Sequence, residues 1–266
     1  MRGYVINLAR SVKRRVHVTG ELAKTGIEYE FVDAVDGRLL DLTDEKLIDQ
    51  AVIGTIWFRP GVAGCAFSHL NAYERILACG TDAALVLEDD VVLPNDLGRL
   101  CDELSGQLSG AEVILLNYDS PQGLRMSREG LVRLAASRQL ALPIDVSEPA
   151  SSAAYLITRE ACRRMVENAR PFKARPDNWG HFYAEGMLDR IRCVVPLPVL
   201  KEPRFDSDID YNKPGGLKSK LVKMVTDYEI KPALDLLAYR RRRIWRKQIR
   251  VEFVNEPFVV RPTRLD

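Results

Sequence analysis

The sequence predicts an α/β domain built around a mostly parallel sheet, followed by a basic helical extension. Three observations predict it. Short apolar runs of strand length alternate with stretches of helical periodicity from the amino terminus to about residue 170. The run Ala83-Ala84-Leu85-Val86-Leu87 is apolar at every position, as in a strand buried on both faces, and it stops at three acids, Glu88, Asp89 and Asp90. Charge is also segregated: residues 213–250 hold 12 Lys and Arg against 3 Asp and Glu, in a chain whose formal net charge is +2. The division that follows is a catalytic-size domain over residues 1–205 and a linker with a basic amphipathic segment over 206–266.

The elements read in order. Residues 4–8 form a first strand, and the stretch after it, with Arg10, Lys13, Arg14 and Arg15, a helix that ends near Gly26. Residues 28–32 are a second strand closed by a turn at Asp33-Ala34-Val35-Asp36-Gly37. Thr43 is placed to cap a short helix over 41–50. Ala66, Leu70, Tyr73, Ile76 and Leu77 then follow helical spacing up to Gly80, and the all-apolar strand comes next. A helix over 94–107, a strand over 112–117, a loop-rich stretch over 120–150 with a strand near 131–135, a strand over 153–157 and a helix capped by Thr158 complete the pattern. Residues 171–180 are a loop, 194–199 a proline-bearing edge and 206–216 a polar linker.

Composition sets limits on function. At 266 residues, with 46% hydrophobic and 29% charged residues, the chain can bury a substantial core, which excludes global disorder. Its 5 cysteines form no CxxC pair, so a zinc ribbon or a dithiol redox motif is not indicated and a reduced compartment fits. The amino terminus lacks the order of a signal peptide, and no run reaches the ~20 apolar residues of a membrane span. Membrane contact is therefore expected to be peripheral.

Two segments carry chemistry. Glu88, Asp89 and Asp90 end a buried strand at the edge where ligands bind in parallel sheets, and their mutual repulsion is most simply offset by a divalent cation. In extended backbone Glu88 and Asp90 point one way and Asp89 the other, so the outer pair would chelate while Asp89 reaches a different group. A solvated acidic turn is the plain alternative. In Gly61-Val62-Ala63-Gly64-Cys65-Ala66-Phe67-Ser68-His69 the glycines permit close backbone approach to a ligand, and Ser68 and His69 are expected early in the next helix, near its anion-favouring end. A glycine-rich helix start with a hydrogen-bonded histidine is the alternative there.

Taken in order, Val5-Ile6-Asn7-Leu8 with Arg14 and Arg15, Ala34-Val35-Asp36-Gly37, Gly64-Cys65-Ala66-Phe67-Ser68-His69, Leu87-Glu88-Asp89-Asp90-Val91 and Ala154-Tyr155-Leu156-Ile157 resemble glycosyltransferase family 25. That group contains bacterial lipopolysaccharide and lipooligosaccharide galactosyltransferases and the collagen galactosyltransferases. The resemblance covers about residues 3–180. It implies a GT-A-type nucleotide-binding fold, a UDP-sugar donor, a manganese-like ion (Mn2+ or Mg2+) and inversion at the anomeric carbon. Carried onto this chain, it makes Glu88, Asp89 and Asp90 the metal and diphosphate motif, and Asn7, Leu8, Arg10 and Arg14 the nucleotide cradle, with Ser68 and His69 near the donor.

Inversion by single displacement needs a base, and Asp177, in Arg175-Pro176-Asp177-Asn178-Trp179, resembles the family's Pro-x-Asp element. Glu148, Glu185 and Asp189 compete for the role. Trp179 and Tyr183 are candidates to stack on an acceptor sugar, and His181 to complete a metal shell with Glu88 and Asp90.

In the basic segment, Arg240-Arg241-Arg242-Arg243 precedes Ile244 and Trp245 among further Lys and Leu, a pattern suited to anionic lipid. The resulting expectation is an inverting hexosyltransferase, galactose being the first choice of sugar, acting on a lipopolysaccharide or lipooligosaccharide core saccharide at the inner face of the cytoplasmic membrane. A transferase with another UDP-sugar is one alternative. A non-catalytic adaptor that binds membrane or nucleic acid through the basic patch is the other, although nucleic acid is not the expected partner.

Overall fold

The computed structural model describes residues 1–205, 222, 224–226, 228 and 230–257. The expected polar linker over 206–216 lies outside the described residues, as does most of the expected basic stretch over 217–225.

Eight strands form the central sheet: β1 (Arg2–Asn7), β2 (Tyr29–Asp33), β3 (Ala83–Glu88), β5 (Glu112–Leu115), β7 (Val132–Arg133), β8 (Gln139–Ala141), β9 (Ala154–Thr158) and β10 (Arg190–Val195). Their order is β2-β1-β3-β9-β5-β10-β8-β7. Six run one way, while β8 and β9 oppose them, so the expected mostly parallel sheet is interrupted near its centre by β9. Helices α1 (Val12–Leu22), α2 (Pro60–Cys79), α3 (Leu97–Ser105) and α4 (Arg159–Asn168) cover the sheet, with α5 (Trp179–Ala184) after them. Short strands β4 (Val91–Val92) and β11 (Leu200–Lys201) pair with each other, and β6 (Leu124–Ser127) lies outside the main sheet. Two apolar clusters, one on each face, bury β3 completely at Ala84, Leu85, Val86 and Leu87. The absence of alternation in that run is thereby explained.

The register places the site. Parallel pairing sets Val5 beside Leu87 and Ile6 beside Glu88, so the chain leaving β1 and the acids leaving β3 emerge together at one sheet edge.

Two expectations are corrected. Residues 41–50 form turns and not a helix, because Asp41 accepts from the amide and hydroxyl of Thr43 at 2.9 and 2.7 Å, and Asp44 from the amide of Lys46 at 2.9 Å. These side chains offer the backbone an alternative to helical bonding. The helix expected to follow the glycine stretch starts at Pro60 and contains it. A Cβ on Gly64 would lie 2.6 Å from the Gly37 amide nitrogen. That glycine therefore lets α2 press on the turn after β2, and the close approach is helix against loop.

The carboxyl-terminal segment is built onto this domain. Helix α6 (Ala233–Gln248) buries Leu234 and Ala238, and strand β12 (Val251–Val254) pairs in parallel with β6. Arg241 donates from Nη1 to the carbonyls of Pro203 and Phe205 at 3.0 and 3.1 Å.

Candidate active site

A cleft of about 720 Å3 opens at the shared edge of β1 and β3. Leu8, Arg10, Arg14, Ser68, Glu88, Asp89, Asp90 and Asp177 all line it. Asn7 and His69 stand immediately behind its wall, Asn7 hydrogen-bonded to Asp89 and His69 with its Nε2 3.6 Å from Glu88 Oε1.

The three acids have different surroundings. Asp89 is 5% exposed, receives Asn7 Nδ2 at 2.7 Å and Arg14 Nη1 at 3.0 Å, and is thus the acid that turns toward the protein. Burial nevertheless pushes its carboxyl up to about 6, against the pull of Arg14 and Asn7. Burial acts the same way on Asp90, whose Oδ1 has no hydrogen-bond partner among the described residues. Burial also works against ionisation of Glu88, but His69, Lys201 and the hydroxyl of Ser152, which donates at 2.7 Å, outweigh it and hold the acid at about 2.

Lys201 was not legible as a site residue. Strand β11 delivers it across β4, with Lys201 opposite Val91 and the amide of Glu202 donating to the carbonyl of Asp90 at 2.7 Å. Burial pulls its ammonium down, yet the fields of Glu88, Asp90, Asp119 and Asp177 prevail and push it up to about 12. The fields of four carboxylates thus converge on one ammonium at this end of the cleft. Together with the unpartnered buried oxygen of Asp90, this fits a divalent hard cation held by Glu88 and Asp90.

Other predicted residues fall elsewhere. Ser68 is in the third turn of α2, not at its anion-favouring end: its hydroxyl donates to Gly64 O at 2.6 Å and accepts from the amide of Val35 at 2.8 Å, so it fastens the β2 turn. Trp179 is 1% exposed and does not line the cleft; its indole donates to Ser151 O at 3.0 Å and packs edge-on to Tyr155. It props the segment that carries Ser152, with Ser151 held at φ 115°. Tyr183 packs partly buried against the core away from the cleft. His181 borders a separate small cavity behind α2, and burial lowers its basicity. The histidine that meets Glu88 is His69, with Nε2 at 3.6 Å from Oε1.

Among the carboxylates considered as base, Asp177 alone lines the cleft. Asp189 accepts from the Ala111 amide and Arg164, Glu185 lies near Lys173, and Glu148 accepts from the Arg125 amide.

The cleft has a further wall. Arg241, Arg242 and Trp245 of α6 line it, and Phe205, next to the anchor of Arg241, sets its ring 5.5 Å from the Arg14 guanidinium carbon. The basic segment thus participates in the site that its charge seemed to separate it from. Its arginine run gave no signal of two faces, because the exposed Arg240 and Arg243 and the inward Arg241 are adjacent in sequence.

The sequence model of glycosyltransferase family 25 (LPS biosynthesis protein) matches residues 1–179, and the chain belongs to that family. Among its relatives, a glycosyltransferase 25 family member of Aedes aegypti is 38% identical over 101 residues, 33% of this chain and 16% of the mosquito protein. A provisionally named glycosyltransferase of Haemophilus influenzae is 30% identical over 102 residues, 37% of this chain and 36% of that one. The inactive family member 3 of Mus musculus is 32% identical over 108 residues, 38% and 18% of the two chains. The chain therefore spans 16% to 36% of the length of these curated relatives. A solved glycosyltransferase involved in the glycosylation of the major capsid of PBCV-1 aligns over 72% of this chain and 80% of its own, at a TM-score of 0.35 and 11% identity, too distant to add to the assignment.

Proposed function

We propose that the chain is an inverting, metal-dependent hexosyltransferase that moves a sugar, galactose first among the candidates, from a UDP-sugar to the core saccharide of a lipopolysaccharide or lipooligosaccharide. The observation that carries this reading is the single cleft in which the cradle residues Leu8, Arg10 and Arg14, the acids Glu88 and Asp90, and Asp177 meet.

In this reading the donor diphosphate lies against Arg14 and the acids, and the sugar lies toward Ser152 and Asp177. Glu88 and Asp90 would hold the divalent cation, whose chemistry is to neutralise charge on the departing diphosphate. Asp89 orients Arg14 from beneath. Asp177 takes the proton of the acceptor hydroxyl as its oxygen bonds to the anomeric carbon and the bond to the diphosphate breaks. The field of Lys201, with His69 and Ser152, helps keep Glu88 ionised.

The acceptor's lipid anchor gives the outer face of α6 a role. Leu236, Tyr239 and Ile244 are exposed there beside Arg240, Arg243 and Lys247, a mixture that suits an anionic membrane surface. No helix among the described residues is long and apolar enough to cross a membrane, so the contact proposed is peripheral.

Calorimetric titration of UDP tests the site. Binding is expected with manganese, and loss of binding is expected with chelator or in Asp90→Ala. Unchanged affinity in all three arms would refute the metal-dependent donor site.

A further inference from the structure

We infer that Cys65, His69 and Glu88 form a binding site for a thiophilic divalent cation of the zinc class, separable from the hard-cation position at Glu88 and Asp90. The sulfur, an imidazole nitrogen and a carboxylate oxygen of these residues all lie within 4.8 Å of one another.

The geometry follows from α2 and β3. Cys65 and His69 are four residues apart on α2, so they share one helix face, and that face meets the end of β3 where Glu88 emerges. His69 is 2% exposed, and its Nε2 is buried with no hydrogen-bond partner among the described residues, 3.6 Å from Glu88 Oε1. Its other nitrogen, Nδ1, is 2.7 Å from the Tyr155 hydroxyl, which in turn is 2.7 Å from that of Tyr73. This outer contact fixes the ring and leaves Nε2 as the nitrogen aimed at the cluster, the arrangement seen when an imidazole ligates a metal. Cys65 lines the cleft, giving an ion a route in and an open coordination position.

Ligand chemistry selects the ion. Manganese and magnesium favour oxygen ligands, whereas a thiolate and an imidazole favour zinc and cobalt over manganese. Ligation releases the thiol proton to solvent and commits Glu88 to the new ion. Because Glu88 would be shared, zinc is expected to antagonise a hard cation held with Asp90.

The test uses the full chain carrying Cys79→Ser, since Cys79 is an exposed thiol that would bind zinc on its own. Zinc and cobalt are titrated into metal-free protein without nucleotide. One equivalent is expected to bind, cobalt giving the near-ultraviolet charge-transfer band of a thiolate ligand. Cys65→Ser should abolish the band and weaken binding at least about tenfold. His69→Gln should weaken binding similarly, while Asp90→Ala should leave band and affinity intact. Thermal unfolding checks that each variant is folded. Absence of the band, or affinity lost in Asp90→Ala but kept in Cys65→Ser, would overturn the proposal. Neither result depends on UDP binding, so the donor site and this site stand or fall separately.

Discussion

The side-chain amide of Asn7 donates to Asp89 Oδ2 at 2.7 Å across 82 residues of sequence. The bond exists because β1 and β3 are parallel neighbours, so the residue that ends one strand meets an acid that follows the other. Arg14 completes the arrangement from α1 at 3.0 Å. Asn7 and Asp89 thus anchor Arg14, which also reaches Asp90 Oδ2 at 3.8 Å, while Asp90 Oδ1 has no hydrogen-bond partner among the described residues.

This burial sets a pH dependence. The folded carboxyl of Asp89 sits near 6, above the ~3.9 of an unfolded chain, so ionising it in place opposes folding. The penalty is absent below about pH 4 and complete above about pH 6. In chelator, Asp89→Asn is expected to raise the melting temperature at pH 7.5 and leave it near that of wild type at pH 4.5. The same variant should weaken UDP binding, since Arg14 loses its anchor.

Asp177→Asn removes a base while preserving shape. Turnover should fall about 100-fold or more with UDP affinity unchanged, read by steady-state kinetics beside calorimetry. A comparable loss in Glu185→Gln with an active Asp177→Asn would move the role elsewhere.

Lys201→Met leaves four carboxylates without their shared ammonium. We expect a loss of about 3–5 kcal/mol in urea unfolding at pH 7.5, typical of breaking a buried charged set. The folded pKa of Lys201 is raised, so its contribution is fully present at neutral pH and would fade only as pH rises toward about 12. The deficit should shrink as the pH falls, because burial raises Asp90 and Asp119 and they take up protons before an ordinary carboxylate would.

The outer face of α6 is tested by reversing charge at Arg240, Arg243 and Lys247. Sedimentation with anionic vesicles should be lost, and wild-type binding should weaken with salt. UDP affinity should be unaffected, because the cleft is lined by the inner residues Arg241, Arg242 and Trp245. Equal binding to zwitterionic vesicles would contradict the charge-based reading.

Trp245→Ala and Arg242→Ala probe that inner face. Each should weaken donor binding by about 1 kcal/mol or more if α6 closes the donor site, given what a buried aromatic contact or a charge-assisted hydrogen bond contributes. Unchanged affinity would confine α6 to a structural role.

By itself the sequence determined the α/β class and the buried strand ending in Glu88, Asp89 and Asp90. Those are properties of short segments, where periodicity and a run of like charges report directly on burial. It misread residues 41–50 because side-chain bonds from Asp41 and Asp44 overruled helical spacing. It offered His181 as the partner of Glu88 and Asp90, but His69 is the histidine beside Glu88, since the contact depends on how α2 packs on β3. Tertiary structure decided the rest: Lys201 among acids up to 113 residues earlier in the chain, Asp177 rather than its rivals at the cleft, and α6 as a wall of the site. Each depends on long-range pairing, which brings together groups whose mutual fields no local pattern records.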